Sequence, residues 1–120
     1  MRNTDYEVIS PGFVFNPDPN FQFAPLDWSQ NDGIRIAKSM NIVMDDERWE
    51  IVRAIQEYYA RHDKIRVREL LDALGEKFHH KGGSRFLLRK FPDGPLNQGC
   101  RIGGLSAPTG SKDLAYGTVR

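Results

Sequence analysis

The residue best suited to covalent chemistry in this 120-residue chain is its single cysteine, Cys100. A cysteine becomes nucleophilic when nearby cations or a helix amino terminus lower the pKa of its thiol below about 8.5. Arg101 is adjacent, and Arg85, Arg89 and Lys90 come close if the segments that carry them pack together. The competing interpretation is a buried, inert thiol. Cys100 is also predicted near the carboxyl end of a helix, where the helix dipole disfavours a thiolate.

The remaining residues do not indicate a metal, phosphate or hydrolase site. No cysteine or acid completes a metal-ligand spacing with His62, His79 and His80, so we expect these histidines at the surface or at helix ends. The glycines form no phosphate-binding loop, because neither GxxxxGK[ST] nor a strand-linked GxGxxG occurs. No His/Asn/Asp pattern of a cysteine hydrolase accompanies the thiol. We therefore expect neither a cofactor nor a metal.

Two predicted helices, about 47–62 and 66–78, are separated by a short break and raise a helix-turn-helix alternative. Lys64, Arg66 and Arg68 lie at the start of the second helix, where contacts to DNA phosphates or bases would fall. A helical hairpin is also a general packing unit, and the net charge of +1 gives no overall attraction to nucleic acid.

The composition is typical of one small globular domain, with 39% hydrophobic and 28% charged residues. No apolar run approaches the roughly 20 residues that a membrane helix requires. The amino terminus lacks the apolar segment of a signal peptide. Because one cysteine cannot form an intrachain disulfide, we expect a reducing cytoplasm as the compartment.

The pattern of apolar residues predicts a mainly α fold, a small helical bundle with an amino-terminal β-hairpin and a mobile carboxyl-terminal arm. We expect one domain over residues 1–110, with the hairpin in an arm over 1–26, the bundle over 27–102 and the mobile arm over 103–120. Strand-favouring residues alternate with turn formers in the first arm, at 6–9, 13–15 and 21–23.

Five helices are predicted, over about 28–40, 47–62, 66–78, 85–90 and 95–102. Asp27 is expected to cap the first, Asp45 or Asp46 the second, and Ser84 the fourth. Pro95 suits the first position of the last helix. The second helix is the clearest, because its apolar residues recur at spacings of three and four: Trp49, Val52, Ile55 and Tyr59.

One long stretch of the chain resembles a known family. Residues 81–110, KGGSRFLLRKFPDGPLNQGCRIGGLSAPTG, are similar to the carboxyl-terminal signature of the DsrC/TusE family of sulfur-relay proteins. Upstream, the segments DDERWEIVRAIQEYY and VRELLDALGEKF resemble the family's helices in the same order. The resemblance covers roughly residues 6–111. It implies a helical bundle with an amino-terminal β-hairpin and a mobile carboxyl-terminal arm.

The resemblance also implies a chemistry that this chain departs from. In members with two cysteines, one near the chain end carries sulfur and an earlier one can close on it, whereas TusE-type members keep only the terminal cysteine and act in tRNA thiolation. Cys100 falls on the earlier position, and Ser111 occupies the position of the terminal cysteine. Asn97 replaces a lysine of the family pattern. A serine hydroxyl cannot carry a persulfide, because sulfur transfer needs a thiolate.

These departures lead us to expect a non-relay or regulatory homologue, at most a sulfurtransferase-type carrier. The resemblance implies as partners the sulfur-relay proteins, dissimilatory sulfite reductase or a heterodisulfide-reductase-like complex. The residues expected to bind a partner are Arg85, Arg89, Lys90 and Arg101. One alternative is a single-cysteine carrier with a persulfide or mixed disulfide on Cys100. The other is the helix-turn-helix DNA-binding regulator.

Overall fold

The computed structural model of the chain describes residues 12–108, which form a bundle of five α-helices. In chain order these are α1 (Gln30–Ser39), α2 (Asp46–Arg61), α3 (Val67–Lys77), α4 (Ser84–Lys90) and α5 (Pro95–Ile102). A short 3₁₀ turn, His79–Lys81, separates α3 from α4. The mainly helical prediction is confirmed, and α5 has the predicted bounds. Each helix in this part of the chain is too short or too polar to span a bilayer.

The centre of the bundle is α2, which contacts α3, α4 and α5. Asp45 caps it, because the Asp45 carboxylate accepts a hydrogen bond from the backbone N–H of Arg48 at 2.8 Å. The predicted apolar stripe of α2 faces inward. The largest fully buried side chains, which fill the space between α2 and its neighbours, include Ile51, Ile55, Leu70, Phe86, Phe91 and Leu96.

Two predicted helix caps are wrong. Ser29, not Asp27, caps α1, since Ser29 and Asp32 hydrogen-bond each other's backbone N–H groups in a capping box. Ser84 is the first residue of α4 rather than its cap, and the cap position belongs to Gly83. Gly83 has a φ of 60°, a positive value that glycine tolerates.

The described part of the amino-terminal arm, residues 12–26, packs on the bundle without forming a strand. Asn16 is buried, and its side-chain amide donates to the backbone oxygens of Pro25 at 2.7 Å and Trp28 at 3.2 Å. The ring of Phe21 meets the rings of Trp28 and Trp49 at centroid distances of 5.2 and 5.3 Å. Residues 6–9 lie outside the described residues, so the β-hairpin stays a prediction.

Candidate functional site

Cys100 lies on α5 near its carboxyl end, and its side chain is fully buried, with 0% exposure. The helix α5 packs against α1, α2 and α4. Glycine at position 99 permits the close approach to α2, because a Cβ there would lie 2.7 Å from Cδ1 of Ile55. The thiol is therefore held in the interior of the bundle.

The side chain that meets the thiol is Tyr59 of α2. Its hydroxyl oxygen lies 3.6 Å from Sγ of Cys100, and the same hydroxyl donates to the backbone oxygen of Ser106 at 2.6 Å. Burial raises the pKa of the Cys100 thiol to about 11, and the contact with Tyr59 opposes that rise only in part. The pKa of Tyr59 is raised as well, mainly by burial and to a lesser extent by the neighbouring Cys100. At neutral pH the folded site holds a neutral thiol.

The arginines predicted near the thiol point to solvent. Arg85 and Arg89 are exposed on α4, and Arg101 is exposed on α5. The guanidinium of Arg89 lies over the ring of Phe86, 5.7 Å from its centre. Burial and Tyr59 are the influences on the pKa of Cys100, and no cation of residues 12–108 contributes. The structure thus does not bring these arginines together with the sulfur.

Lys90 lies half-buried in an ion-pair network. Its Nζ atom is 2.9 Å from a carboxylate oxygen of Asp45 and 2.9 Å from one of Glu47. Hydrogen bonds to these two carboxylates raise the pKa of Lys90. The Nε atom of Arg48 also donates to the backbone oxygen of Lys90 at 2.9 Å. This lysine therefore fastens the end of α4 to the start of α2.

The chain that follows α5 begins the predicted mobile arm, and residues 103–108, here called the tail root, lie against the bundle. Three side chains, those of Trp28, Gln56 and Tyr59, donate hydrogen bonds to backbone oxygens at the end of α5 and in the tail root. In the same order, the acceptors are Ile102 at 2.8 Å, Gly103 at 2.9 Å and Ser106 at 2.6 Å. The remainder of the predicted arm, with Ser111, lies outside the described residues.

The path of the tail root depends on a glycine that touches Trp28. Gly104 has a φ of 81°, and a Cβ at this position would lie 2.6 Å from Cδ1 of Trp28. The backbone N–H of Leu105 then returns to the oxygen of Cys100 at 2.8 Å. Leu105 and Ala107 pack against the apolar core. The tail root therefore runs beside Cys100.

Two described cavities lie away from the thiol. One, of about 430 Å³, is bounded by residues 19–23 and α2, and the other, of about 200 Å³, lies between α2 and α3. Neither Cys100 nor Tyr59 lines them. Gln56 borders the larger cavity, and its Oε1 atom is buried without a hydrogen-bond partner within the structure as described. Neither space offers substrate access to the sulfur.

The three histidines are exposed, as expected. His79 and His80 occupy the 3₁₀ turn, and the ring of His62 stacks on Tyr58 at a centroid distance of 3.8 Å. Across residues 12–108, no group of three or more His, Cys, Asp or Glu side chains is placed to hold a metal ion.

The residues of the helix-turn-helix alternative are also exposed. Lys64, Arg66 and Arg68 lie at the break between α2 and α3 and in the first turn of α3. Glu69 and Asp72 are exposed on the same helix, so acidic side chains accompany the basic ones. The surface is of mixed charge, which gives no support to a phosphate-binding face.

The sequence did not predict the contacts of the Tyr59 hydroxyl with Cys100 and Ser106, although it placed Tyr59 in the apolar stripe of α2. Its place in the apolar stripe of α2 identified it as a core residue. The two partners of its hydroxyl lie 41 and 47 residues further along the chain. A tyrosine among aliphatic core residues indicates only that its hydroxyl has some hydrogen-bond partner, because a buried hydroxyl usually requires one.

The comparisons with known proteins agree with one another. The family described as DsrC like protein matches residues 5–111 of this chain. The sulfurtransferase TusE of Escherichia coli (strain K12) is 37% identical over 83 residues, which are 68% of this chain and 76% of that protein. TusE of Salmonella typhimurium (strain LT2) is 39% identical over the same length and shares. The NMR structure of Allochromatium vinosum DsrC is 33% identical, with a TM-score of 0.62 over 85% of this chain and 94% of that one. This chain belongs to the DsrC-like family.

Proposed function

We propose that this chain is a non-relay member of its family, which docks onto sulfur-relay or sulfite-reductase partners without carrying sulfur on Cys100. The observation that carries the proposal is the state of the thiol. Cys100 is 0% exposed, and burial raises its pKa to about 11. A sulfur carrier must present a thiolate to a donor persulfide, so that the thiolate takes the outer sulfur and the donor leaves as a thiolate. The packed site opposes both requirements.

The sequence supports the same proposal. The family match extends to residue 111, where Ser111 stands at the position of the terminal cysteine that the resemblance implies. Without a second thiol, Cys100 cannot close an intrachain disulfide. The proposal keeps the cytoplasm as the compartment, because it needs no disulfide.

The surface that we propose for docking is the outer face of α4. Arg85 and Arg89 are one helical turn apart and exposed, and Leu88, 42% exposed, lies between them. Arg101 of the adjacent α5 is exposed as well. Within residues 12–108, none of these three arginines forms an ion pair with an acid. An apolar side chain between guanidinium groups that form no ion pair suits an acidic protein surface with an apolar centre.

Lys90 takes a different part in this proposal. Because its amine is bound to Asp45 and Glu47, it positions α4 and does not project toward a partner. We propose it as a supporting residue of the docking surface, with Arg85, Arg89 and Arg101 as the contacting ones.

The docking proposal is tested by measuring binding to purified dissimilatory sulfite reductase and to purified sulfur-relay proteins by calorimetry at low and high salt. We expect a complex that the double variant Arg85→Glu/Arg89→Glu weakens by roughly tenfold or more, since it replaces two attractive charges by two repulsive ones. The matched control is Lys38→Glu/Arg68→Glu, which reverses two exposed charges on other helices. Absence of a complex with every partner, or equal losses in both double variants, would contradict the proposal.

The alternative of a single-cysteine carrier is tested on the folded chain by mass spectrometry. After incubation with a small persulfide donor, the proposal predicts no added sulfur atom on the native protein. Partial unfolding in urea should permit the addition, and Cys100→Ser should abolish it. Rapid addition to the native protein would favour the carrier. The DNA-binding alternative is not proposed further, because neither the mixed charge of α3 nor the family relationship favours it.

A further inference from the structure

We propose that Tyr59 is a latch, whose hydroxyl holds the tail root beside Cys100 and thereby controls whether the thiol can react. The proposal rests on the hydroxyl oxygen of Tyr59, which contacts both the tail root and the thiol. The Tyr59 hydroxyl is 2.6 Å from the backbone oxygen of Ser106 and 3.6 Å from Sγ of Cys100. Both contacts lie within the chain itself, so they do not depend on any sulfur-relay partner.

The hydroxyl of Tyr59 has one proton to donate. In the structure that proton is directed to the Ser106 oxygen, because a carbonyl can only accept. The contact with Cys100 must then be made with the thiol proton pointing at the phenolic oxygen. If Cys100 becomes a thiolate, the sulfur turns into an acceptor, and it competes with Ser106 for the proton of Tyr59. The reactive form of the thiol and the bound form of the tail root therefore exclude each other at this hydroxyl.

The latch is the outermost of the attachments that hold this part of the chain. The bonds from Trp28 to Ile102 and from Gln56 to Gly103 are buried, whereas the bond from Tyr59 to Ser106 is exposed. An exposed hydrogen bond costs less to break than a buried one, because water can bond the separated groups, although a net stabilisation of about 0.5–1.5 kcal/mol, which is roughly threefold to tenfold, is still lost. Opening should accordingly begin at Ser106 and stop at Gly103. Such an opening frees Leu105, whose N–H bonds the Cys100 oxygen, without unfolding the bundle.

Burial is the main influence on the ionisation of Cys100, and Tyr59 is the side chain that acts on it directly. No cation or carboxylate in the described part of the chain contributes to the ionisation of Cys100 beside the Tyr59 hydroxyl. Because coupling between two events is reciprocal, release of the tail root must favour reaction at Cys100, and modification of Cys100 must favour release of the tail root.

The first test measures the rate at which dithiobis(nitrobenzoate) labels Cys100 in the native chain. In this reaction the thiolate displaces one nitrothiobenzoate anion, and the thiol proton passes to the buffer. We expect Tyr59→Phe, which removes only the hydroxyl, to speed labelling by roughly threefold to tenfold, the range for loss of one net hydrogen bond, because water can solvate the thiolate of the opened state in place of the hydroxyl. The wild-type rate should be nearly independent of urea below the unfolding transition, as expected for local opening.

Two variants serve as controls. Tyr58→Phe removes the hydroxyl of the neighbouring tyrosine, whose ring stacks on His62, and should leave the rate unchanged. Ser106→Ala keeps the backbone oxygen that accepts the bond and should also label at the wild-type rate. Equal rates in Tyr59→Phe and the wild type would overturn the proposal. So would a wild-type rate that increases with urea as steeply as global unfolding, because access would then require the whole fold to open.

A second measurement needs no tyrosine variant and covers the case in which Tyr59→Phe fails to fold. The thiol of wild-type Cys100 is capped with methyl methanethiosulfonate in dilute urea and the protein is returned to buffer. We expect amide hydrogen exchange at Leu105 to become at least about threefold faster, while exchange in the middle of α2 is unchanged. Unchanged exchange at Leu105 would overturn the reciprocal coupling and with it the latch.

Discussion

The helices α4 and α5 both lie within residues 81–110. They are neighbours in sequence, but α5 buries most of its residues and α4 exposes most of them. In α5, six of eight residues are buried, including Leu96, Gly99 and Cys100. In α4, two of seven are buried, Phe86 and Leu87. Helix α5 is therefore a core helix, whereas α4 is an amphipathic surface helix with a basic outer face. The comparison shows that one family motif can contain a packing constraint and an exposed basic face side by side.

The same comparison explains the behaviour of the cysteine. A thiol on the outer face of α4 would lie among arginines, which favour a thiolate. On α5 the thiol lies in the core, where burial disfavours it. The location of Cys100, and not its sequence neighbours, decides its chemistry.

The largest expected effect is on the free energy of unfolding, and it should differ between a leucine-to-alanine substitution in α5 and one in α4. Leu96→Ala in α5 removes a side chain with 0% exposure, and we expect the free energy of unfolding to fall by about 2–5 kcal/mol. Leu88→Ala in α4 removes one that is 42% exposed, and a loss of at most about 0.5 kcal/mol is expected. Urea denaturation followed by tryptophan fluorescence measures both. Similar losses of unfolding free energy in the two variants would contradict the distinction between α5 as a core helix and α4 as a surface helix.

An intermediate effect is expected from the buried thiol at alkaline pH. Folding raises the pKa of Cys100 from its ordinary value of 9.0 to about 11, so the folded state binds this proton more tightly. The resulting stabilisation is fully present below the ordinary value and is lost as pH rises through the folded one. We expect the wild type to lose about 2 kcal/mol of unfolding free energy from this group between pH ~8 and ~10.5.

The matched variant for this prediction is Cys100→Ala, which lacks the ionisable group. Its stability should fall less over the same alkaline range, and the difference between the two urea curves isolates the thiol. Parallel pH profiles would mean that Cys100 ionises in the folded chain as easily as in the unfolded one.

The smallest effect concerns the basic residues of α4 themselves. Lys90→Met removes two ion pairs made by a side chain that is 15% exposed, and we expect a loss of about 0.5–1 kcal/mol that decreases at high salt. Arg89→Met, at an exposed position, should change stability by less than about 0.5 kcal/mol. Thermal denaturation at two salt concentrations measures the pair. A larger loss for Arg89→Met than for Lys90→Met would reverse the roles assigned to them.

Features with a local cause were predictable from the sequence. Pro95 at the first position and glycine at 103 define α5, which has the predicted bounds. Asp45 caps α2 as expected. The error at Asp27 was avoidable, because Ser29 and Asp32 have the spacing of a capping box. Ser84 failed as a cap because the preceding glycine takes the cap position with a positive φ, a backbone feature that residue type alone does not reveal.

Features with a distant cause were not predictable. Lys90 forms an ion pair with Asp45, which lies 45 residues earlier in the sequence. Because of this separation, the sequence does not show that the charge of Lys90 is neutralised. Cys100 meets Tyr59 across 41 residues, the last residue of α5 accepts a hydrogen bond from Trp28, and the tail root accepts hydrogen bonds from Gln56 and Tyr59. These pairings depend on the order in which the helices pack, which the periodicity of single helices does not specify.

The family, the five helices of residues 12–108, and one thiol with serine at position 111 could all be read from the amino-acid sequence. These follow from local spacing and residue chemistry, which are present along the chain before it folds. The neutral, enclosed state of the thiol and the orientation of the α4 arginines toward solvent instead of the sulfur depend on how the helices pack. Burial and hydrogen-bond partners are properties of the packed chain, since they arise where segments distant in sequence meet.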